Sequence, residues 1–137
     1  MKTLKSGVLT LLALLILGGA PIHSINAAEA GCQPKIIAVK FHADWCGACK
    51  AMGAVFIDLR NKLDDKPVLF VELDFTNATT RHQAMLMAAA LGISPTLEEN
   101  PGTGFILLLD GKRQVTGKLT SPQTLKQMAA EICVHCR

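Results

Sequence analysis

The chain has 137 residues, 18% of them charged, and a formal net charge of +3. This length suits one domain, and a charge so close to neutral gives no basic face for nucleic acid or for an anionic surface. The sequence contains no repeats and no low-complexity linkers.

Lys2 and Lys5 precede a ten-residue apolar run, Val8–Leu17, and small residues follow through Ala27, Ala28 and Ala30. This is the pattern of a secretory signal peptide, and the apolar run is short for a bilayer-spanning helix. Cys32 follows Gly31 as a lipoprotein signal requires, but Glu29 stands where an aliphatic residue belongs. The expected division is a signal over 1–27 and one domain over 28–137. Losing Lys2 and Lys5 takes the formal charge from +3 to +1. All five cysteines, at 32, 46, 49, 133 and 136, follow the signal. That placement fits export to an oxidising compartment, and the bacterial periplasm is the expected location.

Beyond the signal, strands and helices alternate. Ile36–Phe41 is an apolar run of strand length. From Cys46 to about Leu63, the residues Met52, Val55, Phe56, Leu59 and Leu63 recur at helical spacing, and Asp64-Asp65-Lys66-Pro67 ends that helix. Val68–Leu73 reads as a second buried strand. Thr79 or Thr80 caps a helix that passes Met85, Met87 and Leu91 and stops at Gly92. Ile93–Thr103, with Pro95, Pro101 and Gly102, reads as a loop. Phe105–Leu109 and Gln114–Lys118 form a hairpin around Asp110-Gly111. Ser121 and Pro122 open a last helix with Leu125, Met128, Ala129, Ile132 and Cys136 near one face. The predicted order is β-α-β-α-β-β-α, an α/β domain.

The most informative stretch is Trp45-Cys46-Gly47-Ala48-Cys49-Lys50, where a strand gives way to a helix. Two cysteines at this spacing suit thiol–disulfide exchange, one attacking and the other resolving the mixed disulfide. A helix N-terminus favours the thiolate of the first. A structural zinc half-site or a plain structural disulfide needs neither the tryptophan nor the helix start.

Val39–Lys50, VKFHADWCGACK, resembles the active-site segment of the thioredoxin-like superfamily. It is also similar to the C-terminal domain of the bacterial thiol:disulfide interchange protein DsbD. The resemblance implies a minimal thioredoxin-like fold without the usual N-terminal strand and helix. It implies Cys46 as nucleophile, Cys49 as resolving cysteine and Trp45 as an apolar contact for substrate. It implies no cofactor and no metal. Its partners would be protein thiol or disulfide substrates and a membrane or periplasmic redox partner for recycling. No nucleic acid is expected, and the protein would be a monomer.

Three departures from the family pattern stand out. The family's buried acid, six residues before the first cysteine, is Lys40 here, which either favours a nearby thiolate or snorkels to the sheet edge. The loop proline facing the cysteines has two candidate positions. Ser94-Pro95-Thr96 matches it by residue type. Counting back from Asp110-Gly111 selects Gly102-Thr103-Gly104-Phe105, the preferred register, with Thr103 beside the site and Gly104 replacing the proline. If Pro95 holds the position, residues 97–103 form an insertion beside the site. Gly47-Ala48 between the cysteines adds no charge, so a reducing to intermediate potential is expected within the family range of about −270 to −120 mV. His42, four residues before Cys46, is a candidate for lowering the thiol pKa.

Cys133-Val134-His135-Cys136 is a second C-x-x-C. In the implied topology, the last helix ends where the central strand begins, so a Cys32–Cys133 or Cys32–Cys136 disulfide is expected. Closing so long a loop would stabilise by about 2–4 kcal/mol. A second redox pair, a zinc or copper site from Cys32, Cys133, His135 and Cys136, and inert core-facing thiols remain open. The leading function is a periplasmic thiol:disulfide oxidoreductase, working as a reductase. The alternatives are a metal-binding chaperone or assembly factor using its cysteine pairs, and a redox-inert interaction domain.

Overall fold

The computed structural model describes residues 34–136; the expected signal segment and Cys32 lie outside the described residues. In chain order the elements are β1 (Ile36–His42), α1 (Gly47–Lys62), β2 (Val68–Asp74), α2 (Ala78–Leu91), α3 (Ser94–Glu99), β3 (Phe105–Asp110), β4 (Val115–Thr120) and α4 (Leu125–His135). The strands form one sheet in the order β2-β1-β3-β4. β1 and β2 run parallel, with Ile36 opposite Val68 and Lys40 opposite Glu72. β1 and β3 are antiparallel, as are β3 and β4.

Strand position explains strand composition. β1 and β3 are central, covered on both faces and apolar almost throughout, whereas β2 and β4 are edge strands with alternating exposure. Because side chains alternate across a strand, β1 feeds two cores. Ile36 and Ala38 join Met52, Phe56 and Leu59 of α1 and Met128 and Ile132 of α4 on one face. Ile37, Val39 and Phe41 join Ala84 and Ala88 of α2, and Ile93, on the other. A layer of helix thus lies on each side of the sheet, and the C-terminal end of β1 delivers the chain to the start of α1.

Three details differ from the sequence reading. The segment expected as a loop over 93–103 contains α3, a six-residue helix with Pro95 in its first turn and Thr96 buried. Proline suits that position because its missing N–H has no intrahelical partner there, but six residues show no helical stripe to read. α2 is capped by Asn77, whose side chain accepts from the Thr79 and Thr80 N–H groups, so those threonines lie inside the helix. α4 begins after Thr124, in a reciprocal cap with Gln127, and Ser121 and Pro122 belong to the preceding turn.

Candidate active site

Cys46 is the N-cap of α1, and its Sγ accepts the Cys49 N–H at 3.1 Å. A sulfur therefore takes the role that a serine or aspartate oxygen usually fills at a helix start, where unpaired N–H groups and the helix dipole stabilise negative charge. Cys46 and Cys49 are joined as a disulfide, with their Cα atoms 5.2 Å apart. The two sulfurs differ in access. Cys46 is partly exposed, whereas Cys49 is buried at 1% exposure. The Cys49 Sγ lies 3.6 Å from the Phe41 carbonyl oxygen, which can accept from its thiol in the reduced state.

The same Phe41 carbonyl accepts the Gly104 N–H at 2.8 Å, which ties the loop before β3 to the end of β1. Gly104 has φ +91°, and a Cβ there would stand 2.9 Å from Ala48 Cβ and 3.2 Å from Cys46 Sγ. Both the backbone conformation and the close approach favour glycine at this position. Gly104 is thus the loop residue against the disulfide. Pro95 lies in the first turn of α3, and no cis peptide bond occurs among the described residues. Gly47 and Ala48 are exposed in the first turn of α1, and Thr103 is half-buried in a cavity beside Trp45.

Trp45 is 64% exposed, yet it is held in place. Its indole N–H donates to the Thr76 carbonyl at 3.2 Å, and the Thr76 hydroxyl accepts the Asp44 N–H at 3.0 Å. Asp74 in turn accepts from the Thr76 N–H and hydroxyl. Burial works against the Asp74 charge, but the two Thr76 donors and nearby His42 outweigh it and hold the carboxyl below its usual range. His42 Nε2 lies 3.2 Å from Asp44 Oδ1, and its buried Nδ1 has no hydrogen-bond partner. Thr76 is a residue that sequence reasoning missed; it lies after β2, and only the parallel pairing of β1 and β2 brings it beside Trp45.

Lys40 points to the α1 face of the sheet, buried, and its Nζ donates to Glu72 Oε2 at 2.8 Å. Its ammonium also lies 5.2 Å from the Phe56 ring centroid. The register that sets Lys40 opposite Glu72 creates this pair, so the lysine reaches the edge strand with its charge matched. Under the site, Phe41 stacks on Phe75 and Phe105 at 5.8 and 4.7 Å between centroids.

The second cysteine pair lies at the other end of the molecule's helices. Cys133 is in the last turn of α4, Cys136 caps it, and the two are not bonded to each other. The Cys136 thiol donates to the Ile132 carbonyl at 3.3 Å. Burial, then the neighbouring Cys133, pushes its pKa up, against the pull of Lys35 and Lys66. Pairing with Cys32 lies outside the described residues. Among the described residues, no three His, Cys, Asp or Glu side chains are grouped to hold a metal ion.

The thioredoxin family model matches residues 26–97. The chain is 32% identical to the thioredoxin of Ictalurus punctatus over 57 residues, 42% of this chain and 53% of that protein. It is 40% identical to thioredoxin-1 of Schizosaccharomyces pombe over 43 residues, 31% of this chain and 42% of that protein. The chain therefore spans about half or less of the curated relatives it matches. Among solved structures, the fold resembles a thioredoxin-family thiol:disulfide interchange protein from Chlorobium tepidum, with a TM-score of 0.57 at 13% identity, over 79% of this chain and 84% of that one. Identity that low speaks for the fold alone, whereas the family match covers more than half of the chain and includes the whole of its cysteine motif. The chain belongs to the thioredoxin family.

Proposed function

We propose that this protein is a thiol:disulfide oxidoreductase that exchanges electrons with disulfides of other proteins through Cys46 and Cys49. The observation that carries this reading is the placement of the pair: an accessible sulfur capping a helix N-terminus, joined to a buried one. In the reduced protein, the Cys46 thiolate attacks one sulfur of the substrate disulfide. The substrate S–S bond breaks, the first substrate sulfur leaves and takes a proton, and a mixed disulfide forms. The Cys49 thiol then loses its proton, attacks Cys46 Sγ and releases the second substrate thiol. Two electrons and two protons pass to the substrate, and the protein is left with the Cys46–Cys49 disulfide.

The reading includes a reducing direction and a periplasmic site of action. The uncharged Gly47-Ala48 dipeptide supports the first, since it adds nothing that would further stabilise the thiolate. The signal-like N-terminal sequence and the placement of every cysteine after it support the second. A separate redox partner would return the protein to its dithiol form.

Trapping tests the chemistry. Cys49→Ser should accumulate a mixed disulfide with a disulfide-bonded protein substrate, visible on a non-reducing gel and lost on reduction. Cys46→Ser should accumulate none. Equal trapping by both variants would contradict the assignment of Cys46 as the attacking residue.

A further inference from the structure

A cavity opens at Trp45, the neighbour of Cys46, and runs into a second one. The nearer, about 260 Å³, starts at Trp45 and is floored by Phe41 and Phe75. The farther, about 440 Å³, lies between α2 and α3 and takes in Met85 and Ala89. They share Phe75, Arg81 and Leu97, so they form one groove. α3 builds its far wall through Leu97 and Glu98. Met85 itself is 56% exposed, so the apolar lining of this lobe is open to an incoming chain.

Charge within the groove is sparse and ordered. Arg81 borders both cavities, Glu98 borders only the farther one, and the other lining residues are uncharged. Among the described residues, Arg81 takes part in no ion pair. A lone guanidinium over apolar walls is a ready partner for a carboxylate. Met85 adds a flexible side chain that adapts to varied apolar shapes.

We propose that Arg81 and the α2–α3 lobe make this groove select, in the polypeptide flanking the substrate cysteine, an extended apolar stretch with an acidic side chain placed on Arg81. The proposal rests on the oxidoreductase reading of Cys46 and Cys49. The position of Trp45 identifies the occupant: it precedes the attacking cysteine and lines the groove, so a chain whose sulfur stands at Cys46 brings its neighbouring residues to these walls. Two lobes in series exceed what one side chain fills. The order of charges sets a polarity, with acid favoured near the cysteine and disfavoured at the Glu98 end.

Trp45 is the only tryptophan of the chain, so its fluorescence reports the groove directly. The oxidised protein is titrated with ten-residue peptides that carry Leu and Phe at alternate positions and serine in place of cysteine. One version has Asp two residues from the serine and the other has Lys there. The Asp peptide should bind about tenfold more tightly than the Lys peptide. Arg81→Glu should reverse that order, Arg81→Gln should abolish it, and Met85→Lys should weaken both peptides. Reduction of a small aromatic disulfide by the dithiol form should stay within about twofold in all three variants, since that substrate has no flanking chain. Absence of binding, or a preference that survives Arg81→Glu and Arg81→Gln, would overturn the proposal. The expected binding order, in a protein whose dithiol form reduces no disulfide, would uphold the peptide groove and overturn the redox reading instead.

Discussion

Two C-x-x-C pairs share one spacing in this chain and sit at opposite ends of helices. Cys46 and Cys49 open α1, where a sulfur accepts a backbone N–H. Cys133 and Cys136 close α4, where a thiol donates to a backbone carbonyl. The first arrangement favours a thiolate, because the helix N-terminus is electropositive. The second favours a protonated thiol, and burial adds to that. The spacing of two cysteines therefore fixes their reach, while the helix end fixes their chemistry. The surroundings repeat the contrast. Trp45 and an apolar groove stand beside the first pair, whereas the second pair has Lys35 and Lys66 near it.

The sharpest way to break this comparison is to remove one sulfur from each end. Cys46→Ser should lower the rate of insulin disulfide reduction by about a thousandfold or more, as loss of a nucleophile does. Cys133→Ser and Cys136→Ser should each leave that rate within about twofold. A large loss from either C-terminal variant would mean that the second pair passes electrons. A smaller effect separates the two ends by pH. In the reduced protein, Cys46 should be alkylated by iodoacetamide at pH 7 about tenfold faster than Cys136. Since the Cys136 pKa lies above the ordinary thiol value of 9.0, its thiolate is scarce at neutral pH and its alkylation rate should still be climbing at pH 9 rather than levelling off. Mass spectrometry of timed samples reads both sites at once.

Two stability changes sharpen what supports the active end. Gly104→Ala places a Cβ at φ +91° and against Ala48 and Cys46. It should cost about 2 kcal/mol in urea unfolding, the scale of a strained backbone with a tight contact. Glu72→Gln leaves the buried Lys40 ammonium without its carboxylate. Because the Glu72 side chain is 42% exposed, the loss should be about 1 kcal/mol rather than the full value of a buried pair. Lys40→Met in the Glu72→Gln background should recover most of it. If Lys40→Met alone instead shifts the pH profile of Cys46 alkylation, the lysine tunes the thiolate and is more than a structural charge.

Apolar patterning made most of the fold legible, because β1 and β3 are buried as continuous apolar runs and α1 buries residues at helical spacing. The site was legible where it is local: Cys46, Cys49 and Trp45 fall within one hexapeptide. What sequence reading missed depends on register between distant strands. Thr76 holds Trp45, and Glu72 holds Lys40, only because β2 lies parallel to β1. Arg81 and Leu97 meet in one groove only because α3 packs beside α2, and α3 was too short and too proline-marked to be read as a helix. The caps were misplaced for a related reason. Asn77 and Thr124 each stand near other residues able to cap, and the choice is made by where the preceding strand or turn releases the chain.

The central claim is that Cys46 and Cys49 form an exchangeable redox couple at a helix N-terminus. The most direct test is the equilibrium of that couple with glutathione redox buffers, read by Trp45 fluorescence in a Cys133→Ser/Cys136→Ser background. A single two-electron transition between about −270 and −200 mV is the predicted result, in the range of reducing members of such couples. A pair that stays oxidised below about −300 mV would behave as a structural disulfide and contradict the account.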